Sequence, residues 1–224
     1  AATEIAELSV AHEVFKTNRV VFTGDTMFEL FLKAANGQVK GDGSIAARMS
    51  LRVGDYHVAT IHRPEKTDDD SHLRALLETL DGASKAIVLP VHPRLRQAME
   101  RIGYCPSGSL VLCEPLGYFD LVGLLLDCHR VVTDSGGVSR EAFFAGKPCL
   151  IPMPNIHWQE IVDAGWCVTT GSDFATLGKL IDEFDPVGAR PEGLFGAGDA
   201  GTRIVDAIER FLGDFQYDAN WAPQ

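Results

Sequence analysis

The chain has 224 residues, of which 46% are hydrophobic and 23% charged, so it can bury a substantial core and disorder is not expected. A net charge of −11 argues against a nucleic-acid partner, because a polyanion would be repelled, although backbone amides can still hold a small anion. The five cysteines are odd in number and include no Cys-x-x-Cys pair, which fits neither a disulfide framework nor a zinc site.

The first quarter of the chain differs in pattern from the rest. Residues 20–23 (VVFT) predict a short strand, residues 26–35 a helix, and the glycine-rich residues 36–44 a flexible linker. No apolar run approaches the roughly 18 residues of a membrane span, and we expect a cytoplasmic protein with no membrane partner. The chain begins at Ala1 rather than Met, in the manner of a fragment or a processed product.

From residue 56 onward, short apolar runs alternate with amphipathic stretches, which is typical of β-α units around a parallel sheet. The runs are rich in Val, Ile and Leu, as expected for strands covered on both faces. The predicted strands are residues 56–61, 86–91, 110–113, 130–133, 148–151 and 167–169. Apolar residues at helical spacing predict helices over residues 70–84, 93–102, 118–128, 138–145, 157–164, 174–184 and 200–212. The fold class is therefore α/β, with a doubly wound parallel sheet.

The first polar cluster follows the strand predicted at residues 56–61. His62, Arg63 and Glu65 stand at the carboxyl end of that strand, where open α/β sheets bind their ligands. His62 can hydrogen-bond to a phosphate oxygen or protonate it, and Arg63 can add positive charge. The alternative is an ordinary His-Arg pair at the start of a surface loop.

Two further loops follow neighbouring strands in the same way. His92 and Arg94, on either side of Pro93, either line the same cleft or form a capping turn. Leu116 and Tyr118 lie in a loop that offers a platform for a flat base, although Tyr118 as an ordinary core aromatic is the alternative.

The strongest local motif is TDSGG at residues 133–137, between an apolar strand and a helix. The amides of Gly136 and Gly137 and the hydroxyl of Ser135 can bind phosphate oxygens at the positive end of that helix. The alternative is a serine N-cap on a tight turn. One helical turn further on, Glu141 can accept the hydroxyls of a ribose, or it can be a solvated helix glutamate.

Two later loops carry weaker signals. The loop at residues 152–160 (PMPNIHWQE) concentrates polar and aromatic groups that usually contact a ligand or an interface. We expect no metal there, since no second ligand at helical spacing completes a site with His157. The glycine-rich residues 193–199 either meet an anion or act as a hinge.

Taken in chain order, several motifs together resemble those of the non-hydrolysing UDP-N-acetylglucosamine 2-epimerase family. They are IHRPE, PVHPR, EPLGY, TDSGG followed by REA, GKPCL, HWQEIVDAGW and GLFGAGDA. The resemblance covers nearly the whole chain, and residues 19–32 are similar to the segment that enters the family's second domain.

The resemblance implies two Rossmann-like domains in a glycosyltransferase-B arrangement, of which this chain is the second. Residues 1–24 are then the end of, or the link from, a missing first domain. Residues 25–205 form the nucleotide-binding domain, and residues 206–224 form a C-terminal helix and tail.

The resemblance also implies roles for individual residues. His62 is the catalytic candidate, near the glycosidic phosphate, while the turn binds the diphosphate and Glu141 the uridine ribose. The complete set of candidate UDP-binding residues is Ser135, Gly136, Gly137, Glu141, Arg63, Glu65, Leu116 and Tyr118. No metal and no cofactor are implied.

In the family reaction, UDP is eliminated across C1 and C2 of the sugar and is then added back with the C2 proton on the other face. The acid/base carboxylates belong to the first domain, so we expect this chain alone to bind a nucleotide without epimerising a sugar. The expected partners are the UDP-sugar and either a second full-length copy in a homodimer or a separate first-domain chain. A nucleotide-sugar module of a glycosyltransferase and a non-catalytic subunit are the alternatives.

Three positions depart from the family pattern. Leu116 and Leu121 stand where many members have Gln and Phe beside the uracil, and Trp158 stands where many have Arg. Trp158 followed by the AGW segment resembles the branch that acts on modified sugars such as diacetamido uronic acids. These departures concern the sugar more than the nucleotide.

Overall fold

The structure is a computed structural model that describes residues 1–13, 20–38, 43–156 and 158–214. His157, part of the predicted linker at residues 36–44 and the predicted tail at residues 217–224 lie outside the described residues. The chain divides into two compact units, one of Ala1–Leu32 with Glu192–Gln224 and the other of Lys33–Pro191. The domain boundaries expected from the sequence stay a prediction.

The helices and strands follow one another in the order expected for β-α units. The strands are β1 Tyr56–Thr60, β2 Ala86–Pro90, β3 Leu110–Cys113, β4 Val131–Thr133, β5 Cys149–Ile151 and β6 Cys167–Thr169. The helices are α1 Glu4–Glu13, α2 Thr26–Asn36, α3 Ile45–Arg48, α4 Pro64–Thr67, α5 Asp70–Asp81, α6 Pro93–Ile102, α7 Tyr118–Asp127, α8 Gly136–Phe144, α9 Gln159–Asp163, α10 Phe174–Glu183 and α11 Ala200–Asp214.

The strands of the larger unit form one parallel sheet in the order β3-β2-β1-β4-β5-β6. This is the Rossmann order, in which the direction of winding reverses between β1 and β4. The predicted doubly wound α/β fold is confirmed, and each predicted strand of the sheet agrees with the structure to within one residue at either end.

One face of this sheet is covered by α5, α6 and α10. The α5 leucines recur at spacings of three and four residues, so they share one side of the helix. The fully buried leucines of this layer are Leu73, Leu76, Leu77, Leu80, Leu95 and Leu177. Burying one such side chain contributes about 1.5–3 kcal/mol, so this layer fixes the helices on the sheet.

On the other face of the sheet, β1 contacts α7. The Tyr56 side chain is fully buried, and its hydroxyl donates a hydrogen bond of 2.8 Å to the Leu124 carbonyl. Gly123, in the middle of α7, has no space for a side chain, because a Cβ there would lie 2.9 Å from Ile45. The close approach of α3 and α7 therefore depends on this glycine.

Helix α8 begins two residues earlier than the sequence predicted. The hydroxyl of Ser135 accepts a hydrogen bond of 3.3 Å from the Val138 N–H, which makes Gly136 the first helical residue. This is the usual geometry of a serine N-cap. Both glycines of the motif therefore lie in the first turn of α8.

The strand predicted at residues 20–23 is wrong. Two backbone hydrogen bonds join this segment to a single residue, Ala1, whose amino group donates to the Val21 carbonyl at 2.7 Å and whose carbonyl accepts from Thr23 N–H at 3.0 Å. A ladder needs a row of paired residues, and an apolar run without such a neighbour is not a strand.

The glycine-rich loop at residues 193–199 belongs to the smaller unit and packs tightly there. Gly196 has a φ of +86°, and a Cβ on it would lie 2.8 Å from the Gly24 Cα. The neighbouring Phe195 carbonyl accepts a hydrogen bond of 2.9 Å from Asp25 N–H. These contacts explain the glycine by close packing of backbone against backbone.

The last helix, α11, is strongly amphipathic, and part of its apolar surface is exposed. Val205, Ile208, Phe211 and Leu212 are each more than half exposed to solvent. Within the described ranges, no helix combines the length and apolar character that crossing a membrane requires.

Candidate functional site

The site lies where β1 and β4 end side by side. The two strands pair in parallel with Thr60 opposite Thr133, so the loop that starts at His62 and the loop that starts at Asp134 leave the sheet together. This is the switch point of the sheet, the position at which open α/β folds bind ligands. The topology therefore brings the two strongest sequence motifs to one place.

The carboxylate of Asp134 holds the β1 loop to the β4 loop. Its side chain is fully buried, and it accepts hydrogen bonds from the backbone N–H groups of His62, at 2.9 Å, and Arg63, at 2.8 Å. It also lies 2.7 Å from Nδ1 of His62, whose side chain is 45% exposed. A buried carboxylate needs several donors to offset its lost hydration, and these three groups supply them.

Asp134 is a functional residue that was not predicted from the sequence, although it lies in the TDSGG motif. The available signal was position: Asp134 is the first residue after its strand, as His62 is nearly the first after its own. Only the strand order shows that the two strands are neighbours.

A cavity that is open to solvent lies beside this contact, and Arg63, Asp134, Ser135 and Gly136 all line it. Its other wall comes from Ser139 and from the end of β5 with the following loop, at Ile151, Met153, Asn155 and Ile156. Arg63, Ser135 and Gly136, predicted from separate motifs, therefore share one cavity.

Several hydrogen-bond donors at and beside the cavity have no acceptor among the described residues. Among the described residues, no protein acceptor takes the amide hydrogens of Gly136 and Gly137, and no carboxylate pairs with the guanidinium of Arg63. Unpaired amides in the first turn of a helix carry partial positive charge and attract anions. In a chain with a net charge of −11, this is a local positive site.

Ser135 caps α8 and still has a proton to offer. Its N–H donates to Oγ1 of Thr133 at 2.9 Å, and its hydroxyl accepts from Val138. The N-cap alternative is thus correct as a description of the turn. It does not exclude anion binding, because a serine hydroxyl accepts with its lone pairs and donates its hydrogen separately.

Tyr118 and Glu141 form a second group, at the contact between α7 and α8. Burial raises the pKa of the Tyr118 hydroxyl well above its ordinary value, and the nearby negative charge of Glu141 raises it further. No hydrogen bond of normal geometry satisfies that hydroxyl within the described residues. Glu141 is 3% exposed, so the alternative of a solvated helix glutamate is wrong.

The remaining candidates lie outside the cavity. Glu65 is exposed on α4, and Leu116 is half-buried in the loop before α7. His92 caps α6 by accepting a hydrogen bond of 3.3 Å from the Arg94 N–H, while its ring meets the His62 ring edge to face at 6.4 Å. Arg94 binds Asp68 at 2.8 Å. The capping alternative therefore describes His92 and Arg94.

Trp158 has a partner that the sequence did not indicate. The guanidinium carbon of Arg140, on α8, lies 4.0 Å from the centre of the Trp158 ring. Arginine stacks favourably on an indole face, so the pair joins α8 to the start of α9.

In the part of the chain that the structure describes, no cluster of three or more His, Cys, Asp or Glu residues is suited to a metal ion.

Comparison with known proteins gives a consistent result. The model of one protein family, UDP-N-acetylglucosamine 2-epimerase, matches residues 1–209. The UDP-2,3-diacetamido-2,3-dideoxy-D-glucuronate 2-epimerase of Pseudomonas aeruginosa is 32% identical over 221 residues, which cover 93% of this chain and 58% of that protein. A UDP-N-acetylglucosamine 2-epimerase homolog of Methanococcus maripaludis is 29% identical over 210 residues, covering 92% and 58%.

Among solved structures, the UDP-GlcNAc 2-epimerase of Methanocaldococcus jannaschii in complex with UDP-GlcNAc and UDP superposes with a TM-score of 0.80 at 26% identity. The match covers 94% of this chain and 60% of that one. This chain thus spans about 58% of the length of the curated relatives described above.

Proposed function

We propose, from the premise that this chain belongs to the UDP-N-acetylglucosamine 2-epimerase family, that it is the UDP-binding part of a UDP-sugar 2-epimerase. The observation that carries the proposal is the cavity at the end of β4, which Arg63 and Gly136 both line. Among the described residues, neither the Gly136 amide nor the Arg63 guanidinium has a protein partner. Unpaired donors in the first turn of a helix suit the oxygens of a diphosphate.

The diphosphate binds first to groups that the fold already holds in place. Oxygens of one phosphate accept the amide hydrogens of Gly136 and Gly137 and the hydroxyl hydrogen of Ser135. Arg63 lines the same cavity, and its guanidinium supplies a full positive charge.

Glu141 binds the ribose of UDP. It lies one helical turn beyond Gly137, so its carboxylate is at the distance of a ribose when the phosphates occupy the turn. A carboxylate can accept hydrogen bonds from both ribose hydroxyls. The Tyr118 hydroxyl is buried near Glu141 and has no hydrogen-bond partner of normal geometry among the described residues, so it is available as a donor when UDP binds.

His62 acts at the leaving phosphate. In the elimination, the bond between C1 and the phosphate oxygen breaks and the C2 proton leaves, which forms a double bond between C1 and C2. The departing oxygen gains negative charge, and a histidine beside it can donate a hydrogen bond or a proton. Re-addition of UDP returns that proton and places hydrogen on the other face of C2.

We propose that the isolated chain binds UDP and does not epimerise a sugar. Removal of the C2 proton needs a base, and the family resemblance assigns the acid/base carboxylates to a first domain. Because this chain spans about 58% of its curated relatives, that domain corresponds to the length that it does not cover.

A diacetamido uronic acid is the second candidate for the sugar, beside N-acetylglucosamine. The relative from Pseudomonas aeruginosa, at 32% identity, carries that substrate in its name. Trp158 stands where the family pattern has Arg, and Arg140 stacks on its ring. The positive charge at this place is therefore supplied by α8 instead. A uronic acid carries a carboxylate that such a charge can bind.

Calorimetry with UDP tests the proposal directly. We expect the chain to bind UDP more tightly than UMP and UMP more tightly than uridine, since each phosphate adds contacts in the cavity. Gly136→Val fills the cavity with a side chain and should abolish UDP binding while the protein stays folded, because Gly136 is not among the glycines with positive φ. Gly213→Val, in an open position on α11, is the matched control.

Further outcomes separate the alternatives. Wild-type affinity for UDP in Gly136→Val would overturn the proposed site. Turnover of UDP-GlcNAc by the isolated chain would overturn the proposed division of labour. Transfer of the sugar to an acceptor by the whole protein would favour the glycosyltransferase alternative, and restored epimerisation on mixing with a separate first-domain chain would favour the subunit alternative.

A further inference from the structure

The contact between Asp134 and His62 holds the two loops together, and it also determines which ring nitrogen of His62 carries the proton. We propose that Asp134 is a positioning residue, which holds His62 with its proton on Nδ1 and so turns Nε2 toward the bound ligand. This inference deepens the proposed function and rests on it for the role of His62.

The geometry around the carboxylate supports this assignment. One oxygen of Asp134 lies 2.7 Å from Nδ1 of His62, while the other accepts the N–H groups of His62 and Arg63 at 2.9 and 2.8 Å. An ionised carboxylate can only accept, so the imidazole must donate from Nδ1. In the neutral ring the proton then sits on Nδ1, and Nε2 carries the lone pair. Nε2 therefore donates to the leaving phosphate oxygen only after it takes up a second proton, and the Asp134 carboxylate stabilises the resulting imidazolium.

The surroundings keep Asp134 in this role. Its side chain is fully buried, whereas that of His62 is 45% exposed, so the carboxylate is fixed and the outer edge of the imidazole is accessible. Lys66 is a further basic group near Asp134, and its ammonium lies 2.9 Å from Nε2 of His72. Arg63 contributes its backbone N–H to Asp134.

The same residue also links His62 to the phosphate turn. Asp134 immediately precedes Ser135, and Asp134 itself lines the cavity together with Ser135 and Gly136. A phosphate bound at Gly136 and an imidazole bound to Asp134 are therefore positioned by one short segment, residues 134–136. Positioning of a catalytic group by a neighbouring carboxylate lowers the cost of reaching the reactive geometry.

The test is the position of the His62 ring proton, measured by ¹⁵N NMR on the chain with and without UDP. In the wild type we expect the proton on Nδ1. In Asp134→Asn, the amide oxygen can still accept the two backbone N–H groups, while the amide NH₂ faces Nδ1. The imidazole must then accept at Nδ1, so the proton should move to Nε2.

Asp81→Asn is the matched control. Asp81 also accepts backbone N–H groups from a loop, at Ser107, Gly108 and Leu110, but it has no contact with His62. Its replacement should leave the His62 proton on Nδ1. A wild-type proton on Nε2, or a proton that stays on Nδ1 in a folded Asp134→Asn variant, would overturn the proposal.

Turnover by the whole protein supplies the second readout. Asp134→Asn should lower kcat by about 10²-fold or more, the usual contribution of a positioned acid or base, with little change in KM. In a His62→Ala background it should cause no further loss of kcat. An equal loss in both backgrounds would show that Asp134 acts independently of His62 and would contradict the proposal.

UDP calorimetry on the wild-type chain separates this inference from the proposed function. A chain that binds no UDP but carries the His62 proton on Nδ1 would refute the proposed function and leave the positioning contact intact. A chain that binds UDP with the proton on Nε2 would do the reverse.

Discussion

The side-chain hydroxyls of Thr60 and Thr133 lie 2.6 Å apart at the carboxyl ends of β1 and β4. Oγ1 of Thr133 also accepts the N–H of Ser135, so one residue both joins the two strands and shapes the phosphate turn. The alignment of the two loops therefore depends on a hydrogen-bonded pair that is part of the sheet.

This pair offers a controlled test of the turn. Thr133→Val removes the acceptor for Ser135 N–H, and we expect UDP affinity to fall by about 1–2 kcal/mol. Thr60→Val removes only the bond between the two threonines and should affect UDP affinity much less. Calorimetry measures both, and equal losses in the two variants would contradict a special role for the turn.

The charge of Arg63 should act on phosphate alone. We expect Arg63→Met to weaken UDP binding by about 1.5–3 kcal/mol, because a charge-assisted contact with phosphate is lost, and to leave uridine binding unchanged. Arg74→Met is the control, since Arg74 pairs with Glu78 on the exposed side of α5. A variant of Arg63 that lost affinity for uridine and UDP equally would point to a structural effect.

Glu141 should act on the ribose. Glu141→Gln keeps the size of the side chain and removes its charge, so UDP affinity should fall by about 1–2 kcal/mol. The loss should be much smaller for a UDP analogue that lacks the ribose hydroxyls. Glu183→Gln, at an exposed glutamate of α10, is the control. An undiminished loss with the deoxy analogue would remove the ribose assignment.

His57 should make stability depend on pH. Burial lowers its pKa to about 4, with a further contribution from Arg130, and neither ring nitrogen has a hydrogen-bond partner among the described residues. Between pH 6.5 and 4 the unfolded state binds a proton that the folded state does not. The free energy of unfolding should therefore fall by about 3 kcal/mol as the pH falls through that window.

Urea unfolding at several pH values measures this effect. His57→Phe keeps an aromatic ring beside His129 and cannot titrate, so its stability should fall less between pH 6.5 and 4 than that of the wild type. The pKa of Asp55 is lowered through its contact with Lys85. Carboxylates of this kind contribute less to the free energy of unfolding at lower pH, and they do so in both proteins. Parallel pH profiles would show that the burial of His57 is not responsible.

Most of the sheet could be predicted from the sequence because its strands are short runs of Val, Ile and Leu separated by amphipathic helices. The short helices α3 and α4 could not, since four residues are too few to show a period. The apolar run at residues 20–23 was misleading because strand formation depends on a paired neighbour, which local sequence does not reveal.

Some features of the candidate site could likewise be predicted from the sequence, and others could not. The phosphate turn could be predicted because two glycines between an apolar strand and a helix are a local pattern. The contact of Asp134 with His62 and the stack of Arg140 on Trp158 join residues far apart in the chain, so they follow only from the strand order and the packing of helices. The roles assigned to these residues stay predictions until binding is measured.

The phosphate turn keeps its shape through its own hydrogen bonds, since Thr133 accepts from Ser135 and Ser135 accepts from Val138. An arriving anion then displaces water without having to break any of these bonds or select a rare loop conformation. We therefore expect UDP to associate in a single kinetic phase whose observed rate rises linearly with UDP concentration. Differences in affinity among nucleotides should then arise mostly from their dissociation rate constants.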